Sequence, residues 1–351
     1  SDWNRERAPR ASRRCGMRAG LNRRALLAAG FACALSGEAV TAEDFYRGKA
    51  LTLVLGYAPG GGVDTAGRVI SRHLSRFIPG NPSIVVQNME GAAGVVSANY
   101  LDRKAAPDGL TVAVPGRSWH VEGLIRSPGV QFDVTRLSYV GSTGAMNSFA
   151  WVRADSGIRN FEDLRNSKEK VVFGALGPGT PTAMVPSLLA STGVPIKLVV
   201  GYTSSSRLLI AMEQGEIPAA YLTEDSFALH QNLIERKFVI PIVQSKPDAP
   251  GLPNLREVVP ERQHAVLELT RSAESLGLMM VAPPGVPADR LAVLRDGFFA
   301  MANDGDYQAD LARFETTRTS PLRGEVVQKM MRDLATLATP EAIAEYQRLK
   351  N

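Results

Sequence analysis

Residues 51–62 read LTLVLGYAPGGG, and this stretch decides the fold class of the chain. Its first five residues are apolar apart from Thr52, which is typical of a strand covered on both faces of a sheet. Three glycines at 60–62 end the strand, and apolar residues from Val63 to Phe77 then recur at helical spacing. The stretch predicts a strand, a glycine-rich loop and a helix.

The same order of elements recurs along the chain. Ile84–Val86 and Leu110–Val114 predict two further strands, with a helix at about 93–101 between them. A second unit, over about 150–243, again alternates strands and helices, and the pattern is helical from Pro287 onward. Such alternation predicts parallel sheets with right-handed crossovers. We expect two α/β units, joined by short strands near 149–152 and 278–282, with a ligand crevice between them.

Residues 1–42 predict an export signal. An arginine pair at 23–24 precedes an apolar run over 25–35, and small residues at 40–42 suit cleavage after Ala42. The pair fits both the general and the twin-arginine export routes. This segment holds both cysteines, eight arginines and three acidic residues. It therefore contains the whole net charge of +5, and the remaining 32 basic and 32 acidic residues give no indication of a nucleic-acid partner.

Glycine-rich motifs follow one another in a distinctive order after the signal. They are GYAPGGGVD (56–64), QNMEGAAG (87–94), APDGLT (106–111), GPGT (177–180), GYTS (201–204) and APPGVP (282–287). Together they resemble the extracytoplasmic receptors of tripartite tricarboxylate transporters, the Bug family. The resemblance implies a type II periplasmic binding protein fold, a two-domain clamp of the α/β class. It also implies a discontinuous first domain, 43–150 plus 280–351, around a second domain, 151–279.

The function that the resemblance implies is ligand capture. We expect a monomeric periplasmic solute-binding protein, without enzymatic activity or a cofactor. It would deliver a small mono- or dicarboxylate, aromatic ones included, to the permease subunits of a transporter in the membrane. A ligand-binding partner of a membrane sensor kinase would have the same sequence features. An exported enzyme is the third alternative, but the four scattered histidines lack metal-ligand spacing and no nucleophile motif occurs.

The first candidate site is the loop after the first strand. Gly60, Gly61 and Gly62 let a ligand approach the backbone, and the helix that follows offers unpaired N–H groups to a carboxylate. A tight strand–helix turn explains the same glycines. The resemblance adds Tyr57 and Pro59 to the predicted ligand contacts. Asp64 is expected to favour the helix dipole and not to touch an anionic ligand.

Further loops supply the remaining candidates. Gly177, Gly179 and Thr180 form the counterpart loop of the second unit, where Thr180 is also a candidate N-cap residue before Pro181. The resemblance implies ligand contacts there and at Tyr202 and Thr203.

The loop after the third strand is the last candidate region, together with the end of a later strand. Arg117 is a candidate because ligands gather at the carboxyl ends of parallel strands and Arg pairs with carboxylates, although a surface arginine is the alternative. The resemblance implies small polar residues at this loop, which adds Ser118. Trp119 either stacks on a flat ligand or packs inside the protein. The resemblance implies a carboxylate and a small polar residue at the end of the later strand, but Leu222 and Thr223 stand there instead, which predicts a more apolar wall.

Overall fold

Two mixed β-sheets organise the computed structural model, which describes residues 45–60, 62–227, 230–313 and 320–351. The strands are β1 (Ala50–Leu55), β2 (Ser83–Asn88), β3 (Thr111–Val114), β4 (Ser138–Ala145), β5 (Ser148–Arg153), β6 (Val171–Ala175), β7 (Ile196–Val200), β8 (Ala219–Thr223), β9 (Val239–Gln244), β10 (Met279–Ala282) and β11 (Ser320–Arg323). The first sheet has the order β11-β4-β10-β3-β1-β2, and the second has the order β7-β6-β8-β5-β9.

Helices cover both sheets. They are α1 (Gly62–Leu74), α2 (Val95–Arg103), α3 (Trp119–Leu124), α4 (Phe161–Arg165), α5 (Pro181–Ser191), α6 (Ser205–Glu213), α7 (Gln231–Glu235), α8 (Leu255–Val258), α9 (His264–Leu276), α10 (Ala288–Ala302), α11 (Gly305–Leu311), α12 (Gly324–Leu337) and α13 (Pro340–Lys350). Short 3-10 turns lie at 75–77, 92–94, 224–227 and 261–263.

The predicted parallel units are present. β1 pairs in parallel with both β2 and β3, and β6 pairs in parallel with both β7 and β8. The run LTLVL is buried as expected, with four of its five residues inaccessible to solvent. The βαβ arrangement therefore places the carboxyl ends of these strands, and the loops that follow them, along one edge of each sheet.

The sheets are mixed, however, and not wholly parallel. β5 and β10, which were predicted as joining strands, lie inside the second and first sheets and run antiparallel to their neighbours. A short apolar run does not reveal strand direction, which is set by where the chain re-enters the sheet. The helical pattern predicted from Pro287 onward also missed β11. This short strand lies at the edge of the first sheet and contains a proline, which edge strands tolerate.

An apolar core extends beneath both sheets. One cluster of buried side chains joins Val54 and Ala113 of the first sheet to Phe173 and Ala219 of the second. Helix α9 lies in this shared layer, where it packs on α5, α12, α13 and β4. Residues Ala42–Asn351 accordingly form one compact unit. The predicted division at 150 and 280 stays a prediction.

The predicted export signal, residues 1–42, lies outside the described residues. Among the helices that the structure describes, none combines the length and the apolar character that crossing a membrane requires.

Candidate functional site

A cavity of about 410 Å³ opens where the carboxyl ends of strands from both sheets meet. Its walls come from the loops after β3, β6 and β8, the start of α5 and the end of α9. The lining residues are Arg117, Ser118, Met146, Leu176, Thr180, Pro181, Thr182, Ser205, Tyr221, Leu222, Thr223, Ser226, Ala273 and Glu274. Cavities of a few hundred Å³ with hydroxyl groups and a few charges suit small ligands.

Four of the predicted site residues line this cavity: Arg117, Ser118, Thr180 and Thr223. Arg117 and Ser118 come from the side of the first sheet, and Thr180 and Thr223 from the side of the second. The structure thus brings together candidates that lie more than one hundred residues apart in the sequence.

Arg117 supplies a positive charge to the cavity wall. It is half-buried, and its Nη1 lies 3.7 Å from the Sδ atom of Met146. The ring of Tyr57 lies beside the Arg117 loop. Burial raises the pKa of Tyr57, and the positive charge of Arg117 partly offsets that rise. Gly116 permits this arrangement: its φ is +132°, and a Cβ atom there would lie 2.4 Å from the Tyr57 ring. The Tyr57 ring therefore packs against the backbone of Gly116, and contact of Tyr57 with a ligand stays a prediction.

The glycine-rich loop after β1 is hydrogen-bonded to a carboxylate of the protein itself, the Asp64 side chain. The amide of Gly60 donates to Oδ2 of Asp64 at 2.9 Å, and Arg68 and Asn88 donate to the same side chain. The Arg68 side-chain hydrogen bond contributes most to lowering the pKa of Asp64 to about 2. Pro59 and Gly60 are exposed, Gly61 lies outside the described residues, and Gly62 begins α1. Ligand contact by these residues stays a prediction.

We expect Asp64→Asn to lower the free energy of unfolding by about 1–3 kcal/mol at pH 7, because it removes the buried charge that accepts the hydrogen bonds of Gly60, Arg68 and Asn88. The folded-state pKa is below the ordinary value, so this stabilisation is present above about pH 4 and is lost as the pH falls towards 2. Urea unfolding at pH 7 and pH 2.5 measures it. Asp289→Asn, an exposed first-turn carboxylate of α10, is the control and should change little. An equal loss at both pH values would contradict the expectation.

The counterpart loop before α5 is closed by its own hydrogen bonds. Thr180 occupies the N-cap position and Pro181 follows at the first turn, as predicted. The Thr180 hydroxyl does not cap the helix but donates to the carbonyl of Gly177 at 2.6 Å. It also lies 2.8 Å from the Thr182 hydroxyl, whose oxygen accepts the amide of Leu176. These bonds fix two hydroxyl groups at the cavity wall.

Gly179→Ala should destabilise the protein by about 1–2 kcal/mol, because φ at Gly179 is +76° and a Cβ atom would come within 3.0 Å of Lys350. Gly177→Ala is the matched control, since nothing lies within 4 Å of a Cβ atom at that position. Chemical denaturation of the two variants tests this difference. Equal stabilities would show that the loop adjusts freely.

Besides the predicted residues of the loop after β1 and the glycines Gly177 and Gly179, Tyr202 and Thr203 also lie outside the lining of this cavity. The Tyr202 hydroxyl donates to Oε1 of Glu216 at 2.6 Å, and burial together with Glu216 raises the pKa of Tyr202 to about 12. Thr203 is exposed on the loop before α6. Contact of either residue with a ligand stays a prediction.

Trp119 belongs to the core. It is fully buried, and its ring stacks on Tyr139 with centroids 6.4 Å apart and tilts against Phe132. The packing alternative for Trp119 is therefore the correct one, because a fully buried ring cannot stack on a ligand in the cavity.

Glu274 is a charged residue of the cavity lining that the sequence reasoning missed. Glu274 is only 4% exposed, yet it lines the cavity from the end of α9. Oε2 accepts a hydrogen bond of 3.0 Å from the Tyr221 hydroxyl, and burial raises the pKa of Glu274 to about 7. The sequence held a signal, because Glu274 follows Leu267 and Thr270 at helical spacing on the buried face of α9.

A larger depression of about 570 Å³ lies away from the strand ends. Arg103, Arg126 and Arg136 line it, together with Asp102 and Asp133. Its walls come mainly from residues 123–136, so it has none of the predicted site residues. Within the described part of the chain, no group of three or more His, Cys, Asp and Glu side chains is placed to hold a metal ion.

The chain belongs to the tripartite tricarboxylate transporter receptor family, whose model matches residues 68–334. A curated relative is the UPF0065 protein in the tcbD-tcbE intergenic region of Pseudomonas sp. (strain P51). The two are 27% identical over 256 residues, which are 70% of this chain and 74% of that protein. The resemblance seen in the loop motifs is thereby confirmed.

Solved structures confirm the fold class. A TctC solute-binding protein from Polaromonas has a TM-score of 0.65 and 16% identity, over 87% of this chain and 98% of that one. MatC from Rhodopseudomonas palustris, with bound malate, has a TM-score of 0.53 and 18% identity, over 86% and 99%. Another R. palustris protein, with adipate, has a TM-score of 0.54 and 19% identity, over 86% and 96%. The fold is that of solute-binding receptors.

Proposed function

We propose that the protein is a monomeric periplasmic receptor, exported with cleavage after Ala42, that captures a small aliphatic mono- or dicarboxylate for the permease of a tripartite transporter. The observation that carries this proposal is the cavity between the loop at 117–118 and the start of α5, which combines a guanidinium group with several hydroxyl groups. Membership of the receptor family and the malate and adipate held by two proteins of similar fold support it.

Each part of the cavity has a role in this proposal. The Arg117 guanidinium pairs with a ligand carboxylate, for which its planar fork is suited. The hydroxyls of Ser118, Thr180 and Thr182 accept or donate around the same group. Met146, Leu176 and Leu222 cover the carbon chain of the ligand, which favours an aliphatic guest.

Closure of two domains, 43–150 plus 280–351 and 151–279, is part of the proposal. The cavity takes residues from both, so a bound carboxylate would bridge them and favour the closed arrangement. The receptor binds and releases its ligand unchanged. The family and fold of solute-binding receptors support this absence of turnover.

A melting screen tests the proposal. The full chain without its first 42 residues is heated with succinate, malate, glutarate, adipate and the matched monocarboxylates butyrate, pentanoate and hexanoate. We expect at least one of them to raise the Tm in a concentration-dependent way, as binding to the folded state requires. Absence of any shift at millimolar concentrations would contradict carboxylate capture. Chemical change of a bound carboxylate would contradict a receptor role.

A further inference from the structure

Glu274 raises a question that the proposed function leaves open. A carboxylate receptor should exclude negative charge from its site, yet this acid lines the cavity that also contains Arg117. It lies on the buried face of α9, where 4% of the residue is exposed. An ionised carboxylate in that position would repel an anionic ligand and would be poorly solvated.

The surroundings of Glu274 favour its neutral form. Burial is the largest influence and raises its pKa to about 7, against the opposing effects of the hydroxyls of Ser148 on β5 and Tyr221 on β8. Two cations also act against the rise, Arg271 on the same helix and Lys246 after β9. Burial itself lowers the pKa of Lys246.

His120, a further buried titratable group beside α9, makes its hydrogen bond away from Glu274. His120 of α3 lies 2.9 Å from the Ser272 hydroxyl through its Nε2 atom. Burial lowers the pKa of His120 to about 3, so it carries no charge at neutral pH. Near pH 6.5 the cavity therefore presents one fixed cation, Arg117, and one protonated carboxyl, Glu274.

We propose that Glu274 determines specificity for dicarboxylates, by meeting the second carboxylate of the ligand as a neutral acid, so that the receptor binds a dicarboxylate together with one proton. This inference rests on the proposed function and adds the ligand class and the proton. The Glu274 hydroxyl donates its proton into a hydrogen bond to the ligand, while Arg117 pairs with the other carboxylate. Above neutral pH the proton comes from solvent, so binding is accompanied by uptake of one proton.

A short hydrogen bond between a carboxylic acid and a carboxylate requires one proton for the pair, because two ionised carboxylates in contact repel each other. The bound dicarboxylate would raise the affinity of Glu274 for its proton. Because ligand binding and protonation of Glu274 strengthen each other equally, the affinity for the dicarboxylate falls as the free protein loses that proton. Monocarboxylates need only the Arg117 side of the cavity and should bind without this dependence.

Isothermal titration calorimetry from pH 6.5 to 8.5 tests the inference. The probes are succinate, glutarate and adipate, each beside the monocarboxylate of equal length, and two buffers of different ionisation enthalpy report proton uptake. Between these pH values we expect the Kd for the best dicarboxylate to rise roughly twentyfold, with uptake of about one proton at pH 8.5. The Kd for a monocarboxylate should not change over this pH range.

Two substitutions separate this role from a structural one. Glu274→Gln keeps the shape and a hydrogen-bond donor, so it should bind the dicarboxylate with a Kd that no longer varies with pH. Glu261→Gln, an exposed acid in the turn before α9, should behave like the wild type. Tyr221→Phe removes the hydroxyl that donates to Glu274 and should move the pH midpoint upward while the protein stays folded.

The possible outcomes are distinct. Dicarboxylate binding without proton uptake, or binding of monocarboxylates alone, would overturn the role of Glu274 and leave carboxylate capture standing. Binding of none of the six probes at any pH would overturn the proposed function together with this inference. A pH-dependent Kd that persists in Glu274→Gln would assign the proton to another group and would also reject the inference.

Discussion

Arg117→Ala is expected to weaken binding of the best carboxylate from the melting screen by about a hundredfold or more. Removal of one partner of a largely desolvated charge pair leaves the ligand carboxylate without its counter-charge, which commonly costs about 2–5 kcal/mol. Arg117 lines the cavity and is half-buried, so it belongs to that class. Titration calorimetry at pH 6.5, where Glu274 is mostly neutral, measures the loss.

Two controls accompany this substitution. Arg117→Lys retains the charge but not the planar fork and should lose about tenfold in affinity. Arg136→Ala removes an exposed arginine of the larger depression and should leave the affinity unchanged. If Arg136→Ala abolished binding while Arg117→Ala did not, the carboxylate would lie in the other depression.

Glu274→Gln is expected to raise the free energy of unfolding by about 3 kcal/mol at pH 8. The ordinary pKa of 4.5 is raised to about 7 in the folded protein, and each unit of difference corresponds to about 1.4 kcal/mol. Between these two values the unfolded chain loses the proton and the folded chain keeps it. The contribution of Glu274 to wild-type stability therefore falls as the pH rises from 4.5 to 7 and is constant above that range.

Glutamine cannot ionise, so the Glu274→Gln variant does not lose stability in this way as the pH rises. Urea unfolding of both proteins at pH 4.5 and pH 8 measures the difference, which should be small at the lower pH and largest at the higher one. Glu261→Gln should show no such pattern, since that side chain is exposed. A stability difference that is independent of pH would show that Glu274 is ionised when buried.

Local sequence features predicted much of the fold. Apolar runs such as 51–55 and 171–173 became buried or half-buried strands, and helical spacing placed α1, α5 and α6 close to their observed positions. Strand direction was not predictable, because β5 and β10 are short apolar runs that fit either direction. β4, with the sequence SYVGSTGA, was missed because small polar residues conceal a strand whose residues 138–144 are all buried.

The lining of the cavity was predictable where it depends on loops after strands. Arg117, Ser118, Thr180 and Thr223 all follow or end a strand, and the parallel units bring such positions together. Gly60 shows what a motif does not reveal: its amide already has an acceptor in Asp64. Glu274 could not be found in this way, because it enters the cavity from a helix whose place between the sheets depends on tertiary packing.

The most direct test of the account is a crystal structure of the receptor with its best carboxylate. We expect the ligand in the cavity between the loop at 117–118 and the start of α5, with one carboxylate on the Arg117 guanidinium. A ligand bound instead among Arg103, Arg126 and Arg136, or a cavity filled by the protein's own side chains, would contradict the account.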